Sequence, residues 1–253
     1  MRVVIIGSGN TATVLGRKIK ASDHSILQVT GRNEVAVTAL ANELASKPNT
    51  DPHSIDLAAD LYVIAIADSA LPQLHEWLQL DKKTVVHTAA AVSKDVLQKI
   101  SRNYGVLYPL QTLRKEQQHL PEIPFLVDGN TADDLALIED FARTLSPDVL
   151  IADDALRLRV HVAAVFVNNF TNHLYALAQE FCKKEQLDFS LLQPLIDETA
   201  QRLHTLSPGD SQTGPAVRND RATIEKHLEV LSAYPHLKNI YEQLTESIQF
   251  PSR

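Results

Sequence analysis

Short β-branched and aliphatic runs alternate with amphipathic segments through the first 150 residues of the chain. The runs that have the length and composition of strands are residues 2–6, 25–30, 61–67, 84–87, 105–108 and 123–127. Helical spacing of apolar residues marks residues 10–20, 34–44, a segment beginning near 93, and 133–145. Strands that alternate with helices in this way predict βαβ units around a mostly parallel sheet.

After residue 153 the period changes. Residues 155–185 contain no proline or glycine and place apolar residues three and four positions apart, which predicts one long helix. Further helices are predicted near 190–206, 221–231 and 236–248, and the stretch 207–215 (SPGDSQTGP) is typical of a loop. We therefore predict an α/β domain over residues 1–152 and an all-helical domain over residues 153–253. The long helix is apolar around much of its circumference, so we expect the helical domain to form a homodimer.

A glycine turn follows the first predicted strand and precedes the first predicted helix. Gly7 permits a tight turn, Gly9 lets the backbone approach a pyrophosphate, and Ala12 keeps the helix close to the strand. The helix N-terminus then offers amides and a positive dipole end to the phosphates. This order is typical of a Rossmann dinucleotide-binding fold with a doubly wound sheet. The predicted cofactor-binding residues of this turn are Gly7, Ser8, Gly9, Asn10, Thr11 and Ala12.

The end of the second strand indicates which dinucleotide binds. NAD-binding domains usually place an acid here to hold the ribose hydroxyls, whereas this chain has Arg32 and no acid. A guanidinium suits a 2′-phosphate, so we expect NADP rather than NAD. The alternative is that Arg32 only begins a helix on a solvated surface.

Other strand ends contribute to the predicted cofactor crevice, because ligands bind outside the carboxyl ends of such sheets. Asp68 fits a helix cap equally well, and His87 within an apolar strand is more often a core histidine than a catalyst. The predicted residues are Gly31, Arg32 and Asn33 after the second strand, Ala67, Asp68 and Ser69 after the third, and Thr88 after the fourth.

Composition excludes several classes of partner. The net charge of −7 argues against nucleic acid and anionic membranes, which need clustered positive charge. The single cysteine, Cys182, cannot form an internal disulfide, and no signal-peptide core or membrane-length apolar run is present, so we expect a cytoplasmic protein. The scattered histidines form no metal-binding motif, and we expect no metal. A small-molecule substrate is the expected partner.

Several stretches together resemble a known family. They are residues 7–12 (GSGNTA), 108–112 (YPLQT), 161–173 (HVAAVFVNNFTNH), 212–220 (QTGPAVRND) and 223–227 (TIEKH). The chain resembles a bacterial Rossmann-like family whose C-terminal domain has no known function. That family is similar in architecture to pyrroline-5-carboxylate reductase, to the deazaflavin (coenzyme F-420)-dependent NADP reductases and to the 6-phosphogluconate and β-hydroxyacid dehydrogenases. The resemblance implies an NADP-binding N-terminal domain, a helical dimerisation domain and an active site in the cleft between them.

Two departures from the related families bear on the reaction. β-Hydroxyacid dehydrogenases carry a catalytic lysine three residues before a paired asparagine, and the matching position here is Val165. The late glycine loop at 211–215 is only loosely like the helical loop of pyrroline-carboxylate reductases. The resemblance therefore implies a cofactor without implying a substrate.

The long helix supplies the main catalytic candidates. His161, Asn168 and Asn172 are seven and four residues apart and share one helical face with Val165, and Asn169 lies further round. A histidine can deliver the proton that accompanies a hydride, although all these groups also suit a helix interface.

Residues outside that helix complete the candidate set. Arg218 follows a Gly-Pro turn and suits a carboxylate or phosphate, or else a solvated surface, while Asp220 fits a helix N-cap. Gln111 and Thr112 follow Pro109 and are expected to orient substrate. We predict an NADP-dependent oxidoreductase acting on a small carbonyl or imine. The alternatives are a non-catalytic dinucleotide-binding sensor on the same fold and an oligomeric scaffold with a degenerate site.

Overall fold

The computed structural model describes residues 1–117 and 119–250. The chain divides into two compact units, Met1–Asn169 and Phe170–Arg253. This division falls inside the long helix, whereas the predicted domain boundary at 152/153 marks the change in periodicity. The division into two domains at 152/153 stays a prediction.

The first unit is built on an eight-stranded sheet with the order β3-β2-β1-β4-β5-β6-β7-β8. Every neighbouring pair is parallel except β6 and β7. The mostly parallel, Rossmann-like sheet is therefore confirmed. The strands are β1 Arg2–Ile6, β2 Ser25–Thr30, β3 Lys47–Asn49, β4 Leu61–Ile64, β5 Thr84–His87, β6 Tyr104–Pro109, β7 Phe125–Gly129 and β8 Val149–Ile151.

Two strands of the sheet were not predicted from the sequence. β3 (Lys47–Asn49) and β8 (Val149–Ile151) are three residues long and lie at the two edges of the sheet. Edge strands are partly solvated and need no continuous apolar run, so β3 consists of Lys-Pro-Asn. The strand predicted over 61–67 ends at Ile64, because the chain turns away after that residue.

Helices cover both faces of the sheet. α1 (Asn10–Ala21), α2 (Glu34–Leu44) and α3 (Ala132–Leu145) contribute Leu15, Val37 and Phe141 to one apolar core. On the opposite face two 3₁₀ segments, Asp68–Glu76 and Lys94–Leu97, contribute Leu71, Leu74 and Leu97 to a second core. The helix predicted to begin near residue 93 is therefore only a short 3₁₀ segment. Burial on both faces explains why the central strand β4 is apolar at every position.

The long helix predicted over 155–185 is present with a local change of geometry. α4 (Asp154–Ala164) leads into a π-helical turn (Val165–Phe170) and then α5 (Thr171–Lys184). Asp153 caps the start, accepting a hydrogen bond of 2.7 Å from the Leu156 amide. A π turn widens the backbone spacing and changes which side chains share a face.

The second unit is helical. After α5 come a 3₁₀ turn (Phe189–Leu192), α6 (Gln193–Arg202), α7 (Arg221–Val230), a 3₁₀ turn (Leu231–Ala233) and α8 (Pro235–Gln249). Of the hydrophobic residues described in this unit, only Cys182, Ala216 and Leu231 are buried. Within residues 1–117 and 119–250, no helix combines the length and the hydropathy needed to cross a membrane.

Candidate active site

The glycine turn joins β1 to α1 in a conformation that needs glycine. Gly7 has φ +132°, and a Cβ there would lie 2.1 Å from the Ala65 carbonyl oxygen. Its amide donates to the Thr30 carbonyl over 2.7 Å, which ties the turn to the end of β2. A Cβ at Gly9 would meet no atom within 4 Å, so this side of the turn faces open space. The turn therefore leaves backbone accessible at the N-terminus of α1, where an anion is stabilised.

A cavity of about 950 Å³ lies along this turn and the ends of β1, β2 and β4. It brings together most of the predicted cofactor residues: Gly7, Ser8, Gly9, Asn10, Thr11, Gly31, Arg32, Asn33 and Ala67. The other predicted cofactor residues, Ala12, Asp68, Ser69 and Thr88, are not part of its described wall. Ala12 is buried in α1, where it packs the helix against the sheet.

The cavity wall includes residues that the sequence analysis did not select. They are Thr50 and Pro52 after β3, and Gln73 and Trp77 on or just after the 3₁₀ segment following β4. Gln73 is exposed and Trp77 is half-buried. These four residues belong to no sequence motif. They reach the carboxyl edge of the sheet only through the topology of the chain.

The end of β2 provides a cation and no acid. Arg32 is exposed and is the one charged residue of the described cavity wall. The Asn33 side chain caps α2 by accepting from the Ala36 amide over 3.0 Å. The hydroxyl of Thr30 is occupied within the fold, since it donates to Gln28 over 3.2 Å. Arg32 is therefore the side chain at this strand end that is available to hold an anion.

A second pocket of about 650 Å³, called the polar pocket here for its hydrogen-bonding side chains, lies within the same unit between the end of β6 and the helix that runs from α4 into the π turn. Five predicted residues meet here: Gln111, Thr112, His161, Asn168 and Asn169. Its remaining walls are Tyr108, Leu110, Val160, Ala163, Ala164 and Val167. No Asp, Glu, Lys or Arg occurs among these described wall residues.

Tyr108 and His161 form the titratable pair of this pocket. The Tyr108 hydroxyl lies 3.0 Å from His161 Nδ1, and the two rings are nearly perpendicular with centroids 6.0 Å apart. Burial raises the pKa of Tyr108, although the nearby Arg157 guanidinium acts in the opposite direction. Near neutral pH the phenol is therefore protonated and able to donate a hydrogen bond.

The amide side chains of the pocket are held by neighbouring groups. Asn168 Nδ2 donates to the Thr112 hydroxyl, joining the π turn to the loop after β6. Gln111 Nε2 donates to the Glu122 carbonyl over 3.1 Å. A regular helix would place Val165 on the same face as His161 and Asn168, with Asn169 further round. In the structure Asn169 lines the pocket and Val165 does not. The π turn accounts for the difference, since it widens the helix between these residues.

Two predicted site residues belong to the second unit. Asn172 and Arg218 are both exposed there. Asp220 caps α7 as predicted, accepting from the Thr223 amide over 3.1 Å. Hydrogen bonds from Thr223 lower the pKa of that carboxyl.

Sequence reasoning overlooked Tyr108 and Arg157. Tyr108 was part of the quoted YPLQT stretch, but its position at the end of β6 beside His161 depends on the packing of α4. Arg157 is 1% exposed, although most arginines are solvated. Among the residues described, no group of three or more His, Cys, Asp or Glu side chains is arranged to hold a metal.

Comparison with protein families gives two matches that divide the chain. The model described as NADP oxidoreductase coenzyme F420-dependent matches residues 2–91. The model of a domain of unknown function, DUF2520, matches residues 123–248. No curated protein matches the chain.

Solved structures resemble the chain over nearly its whole length. A candidate NADP oxidoreductase from Bacteroides fragilis is 38% identical, covers 98% of this chain and 97% of its own, and has a TM-score of 0.90. A pyrroline-5-carboxylate reductase from Streptococcus pyogenes is 14% identical, with 98% of both chains covered and a TM-score of 0.66.

A reductive aminase from Aspergillus terreus, in complex with NADPH and ethyl-5-oxohexanoate, shares the fold at 16% identity. It covers 97% of this chain and 94% of its own, with a TM-score of 0.70. The aminase and the pyrroline-5-carboxylate reductase show likeness of fold alone. The match to the Bacteroides protein shows more, and the chain belongs to the family of Rossmann-fold NADP oxidoreductases that carry this C-terminal domain of unknown function.

Proposed function

We propose that the protein is an NADP-dependent oxidoreductase that transfers hydride to or from a small carbonyl or imine. The observation that carries the proposal is the pairing of two cavities in one unit. One follows the glycine turn and contains Arg32, and the other contains the hydrogen-bonded Tyr108 and His161. A nicotinamide enzyme needs these two parts: a dinucleotide cleft and a nearby proton donor.

The residues present fit NADP. The open face of Gly9 leaves room for a pyrophosphate at the N-terminus of α1. Arg32 offers two parallel N–H donors to a 2′-phosphate, and the described cavity wall contains no carboxylate to repel it. Membership of an NADP oxidoreductase family and the NADPH held by the fungal aminase support the same cofactor.

Proton transfer is assigned to the polar pocket. Bound NADPH would supply a hydride to the carbonyl or imine carbon. The Tyr108 hydroxyl donates the proton that the substrate oxygen or nitrogen then requires, and burial, which raises its pKa, keeps the phenol protonated at neutral pH. His161, 3.0 Å away, returns a proton from Nδ1 to the phenolate that remains, while its Nε2 takes up a proton from solvent, so that the ring ends neutral. In the opposite direction the same pair accepts the proton.

Substrate orientation falls to the amides and the hydroxyl of the pocket. Asn168, Asn169, Gln111 and Thr112 offer donors and acceptors without a net charge. A pocket with no charged wall residue among those described favours an uncharged substrate, since a buried carboxylate would need a cationic partner. Asn172 and Arg218 stay as predicted contributors from the second unit.

We also propose that the protein is a cytoplasmic homodimer. Leu191 and Leu195 of the second unit are 75% and 60% exposed, and few hydrophobic residues described there are buried. A helical unit of this size gains little stability alone, and a second copy is the simplest cover for its apolar surface. The lone cysteine, buried as a free thiol, suits a reducing compartment.

The cofactor is tested by titrating NADPH and NADH while following nicotinamide fluorescence. We expect the wild type to prefer NADPH, and Arg32→Ala to weaken NADPH binding by about tenfold or more with little effect on NADH. Arg159→Ala is the matched control, because Arg159 is also exposed but is not part of the described cleft wall. Equal binding of both dinucleotides, unchanged in Arg32→Ala, would contradict NADP as the cofactor.

Turnover is tested separately with a panel of carbonyls, imines and deazaflavin, followed by NADPH absorbance. We expect activity with an uncharged carbonyl or imine and its loss in His161→Ala. Tight NADPH binding without turnover of any member would instead favour the sensor function. Activity that survives His161→Ala would remove His161 from the mechanism.

A further inference from the structure

Arg157 is a buried cation that the proposed chemistry does not use. It lies on α4 with 1% of its surface exposed. Nε donates to the Ala90 carbonyl over 3.1 Å, and Nη2 donates to the Val92 carbonyl over 2.6 Å. Nη2 also contacts Asp154 Oδ1 at 2.7 Å. Nη1 is buried without a hydrogen-bond partner among the described residues. Burying a guanidinium is unfavourable, so its two backbone partners on one segment indicate a specific role.

The segment that Arg157 contacts is residues 88–92, directly after β5. His87 holds the same segment from its other end, because its Nδ1 accepts the Ala89 amide over 3.1 Å. The Thr88 amide and hydroxyl both donate to the Ile64 carbonyl over 3.2 Å. Buried groups of β4, β5 and α4 therefore anchor this segment along its length.

The Ala89 contact also defines the state of His87. A nitrogen that accepts an N–H carries no proton, so the ring is neutral with its proton on Nε2. Burial lowers the pKa of His87 to about 4, and the positive charge of Arg157 is the second cause in the same direction. The hydrogen bond to the segment therefore persists at neutral pH.

Sheet order places the end of β5, where this segment begins, between the strand ends that wall the two cavities, and none of residues 88–92 is among the described wall residues of either cavity. β5 pairs with β4, whose end forms a wall of the dinucleotide cleft, and with β6, whose Tyr108 forms a wall of the polar pocket. A dinucleotide that begins at the glycine turn must pass the end of β5 to bring its reactive ring to Tyr108. Arg157 also precedes His161 by four residues, one turn of the same helix.

We propose that Arg157 is a positioning residue that fixes residues 88–92 as the support for the nicotinamide end of the cofactor. It does so by holding the Ala90 and Val92 carbonyls against the helix that carries His161. The assignment rests on the proposed NADP-dependent function. It is separate from cofactor recognition by Arg32, which acts on the adenosine end.

The test compares two ligands in the full-length protein. NADPH reaches the segment, whereas 2′,5′-ADP occupies only the adenosine end. We expect Arg157→Met to raise the NADPH Kd by about tenfold and to change the emission maximum of bound nicotinamide, with the 2′,5′-ADP Kd within about twofold of wild type. Arg159→Met, an exposed arginine on the same helix, should alter neither ligand.

A second substitution covers the case in which Arg157→Met does not fold. Arg157→Lys keeps the charge but loses the planar fork, so it should shift the NADPH Kd in the same direction by a smaller factor. An unchanged ratio of the NADPH Kd to the 2′,5′-ADP Kd in a folded variant overturns the assignment. Failure of both variants to fold also overturns it, because Arg157 would then serve stability alone. A wild type that binds neither ligand overturns the proposed cofactor itself, which is a distinguishable result.

Discussion

Acid should destabilise the fold through His87. This side chain is fully buried, and its pKa is lowered from 6.5 to about 4, first by burial and then by the Arg157 charge, while a hydrogen bond with the Ser93 backbone and the Asp154 charge act in the opposite direction. The unfolded chain therefore binds a proton at this residue before the folded protein does. The free energy of unfolding has its full value above about pH 6.5 and decreases as the pH falls from there toward 4.

The size of this effect follows from the shift. One pKa unit corresponds to about 1.4 kcal/mol, so a difference of about 2.5 units is worth about 3 kcal/mol when complete. At about pH 4.5 most of it, about 2.5 kcal/mol, is already lost. For a domain of ordinary stability this is a large fraction of the free energy of unfolding.

The assay is urea unfolding followed by circular dichroism at about pH 7.5 and about pH 4.5, for the wild type and His87→Asn. Asparagine places an amide oxygen near the position of Nδ1 and does not titrate. Other groups, including Asp60 with its pKa of about 2, are common to both proteins and cancel in the difference. We expect the wild type to lose about 2.5 kcal/mol more than the variant on acidification. Equal losses would refute the reasoning.

Three further predictions test the turn, the chemistry and the assembly. Gly7→Ala should lower the free energy of unfolding by about 2 to 3 kcal/mol, measured by urea unfolding, because its Cβ would lie 2.1 Å from the Ala65 oxygen. Gly9→Ala meets nothing within 4 Å, so it should unfold like wild type yet bind NADPH more weakly in the fluorescence titration; the reverse pattern would contradict the turn's proposed role. Tyr108→Phe should lower kcat by about 10²-fold to 10⁴-fold with an unchanged NADPH Kd, and a wild-type kcat would exclude the phenol as proton donor. Leu191→Asp should turn a dimer into a monomer in light scattering, and a wild-type mass in both proteins would contradict this face as the interface.

Local pattern was sufficient for most of the fold. Strands β1, β2 and β5 and helix α2 have the predicted bounds, because strands in the interior of the sheet are buried and therefore mostly apolar. The glycine turn was equally readable, since a positive φ at Gly7 has few sequence solutions. The two edge strands were missed for different reasons: β3 is a solvated Lys-Pro-Asn segment with no apolar pattern, and β8, although apolar, is only three residues long.

The candidate site was only partly readable. His161, Asn168 and Asn169 were selected from the long helix, but the π turn that brings Asn169 rather than Val165 to the pocket has no recognised local signal here. Tyr108 belongs to the candidate site because it contacts His161, 53 positions further along the chain. Such contacts between distant residues depend on packing and cannot be derived from spacing.

Arg157 and Arg159 differ in a way that the tertiary structure decides and the sequence does not. Both are arginines on one helix, two positions apart, and the sequence treats them alike; the structure buries the first against the Ala90 and Val92 carbonyls and leaves the second in solvent. The sequence by itself determined most of the order of strands and helices, the glycine turn and the positive charge after β2, because these depend on neighbours along the chain. Only the tertiary structure decided which polar groups meet in the pocket and which cation is buried, because those depend on elements that packing brings together from distant parts of the chain.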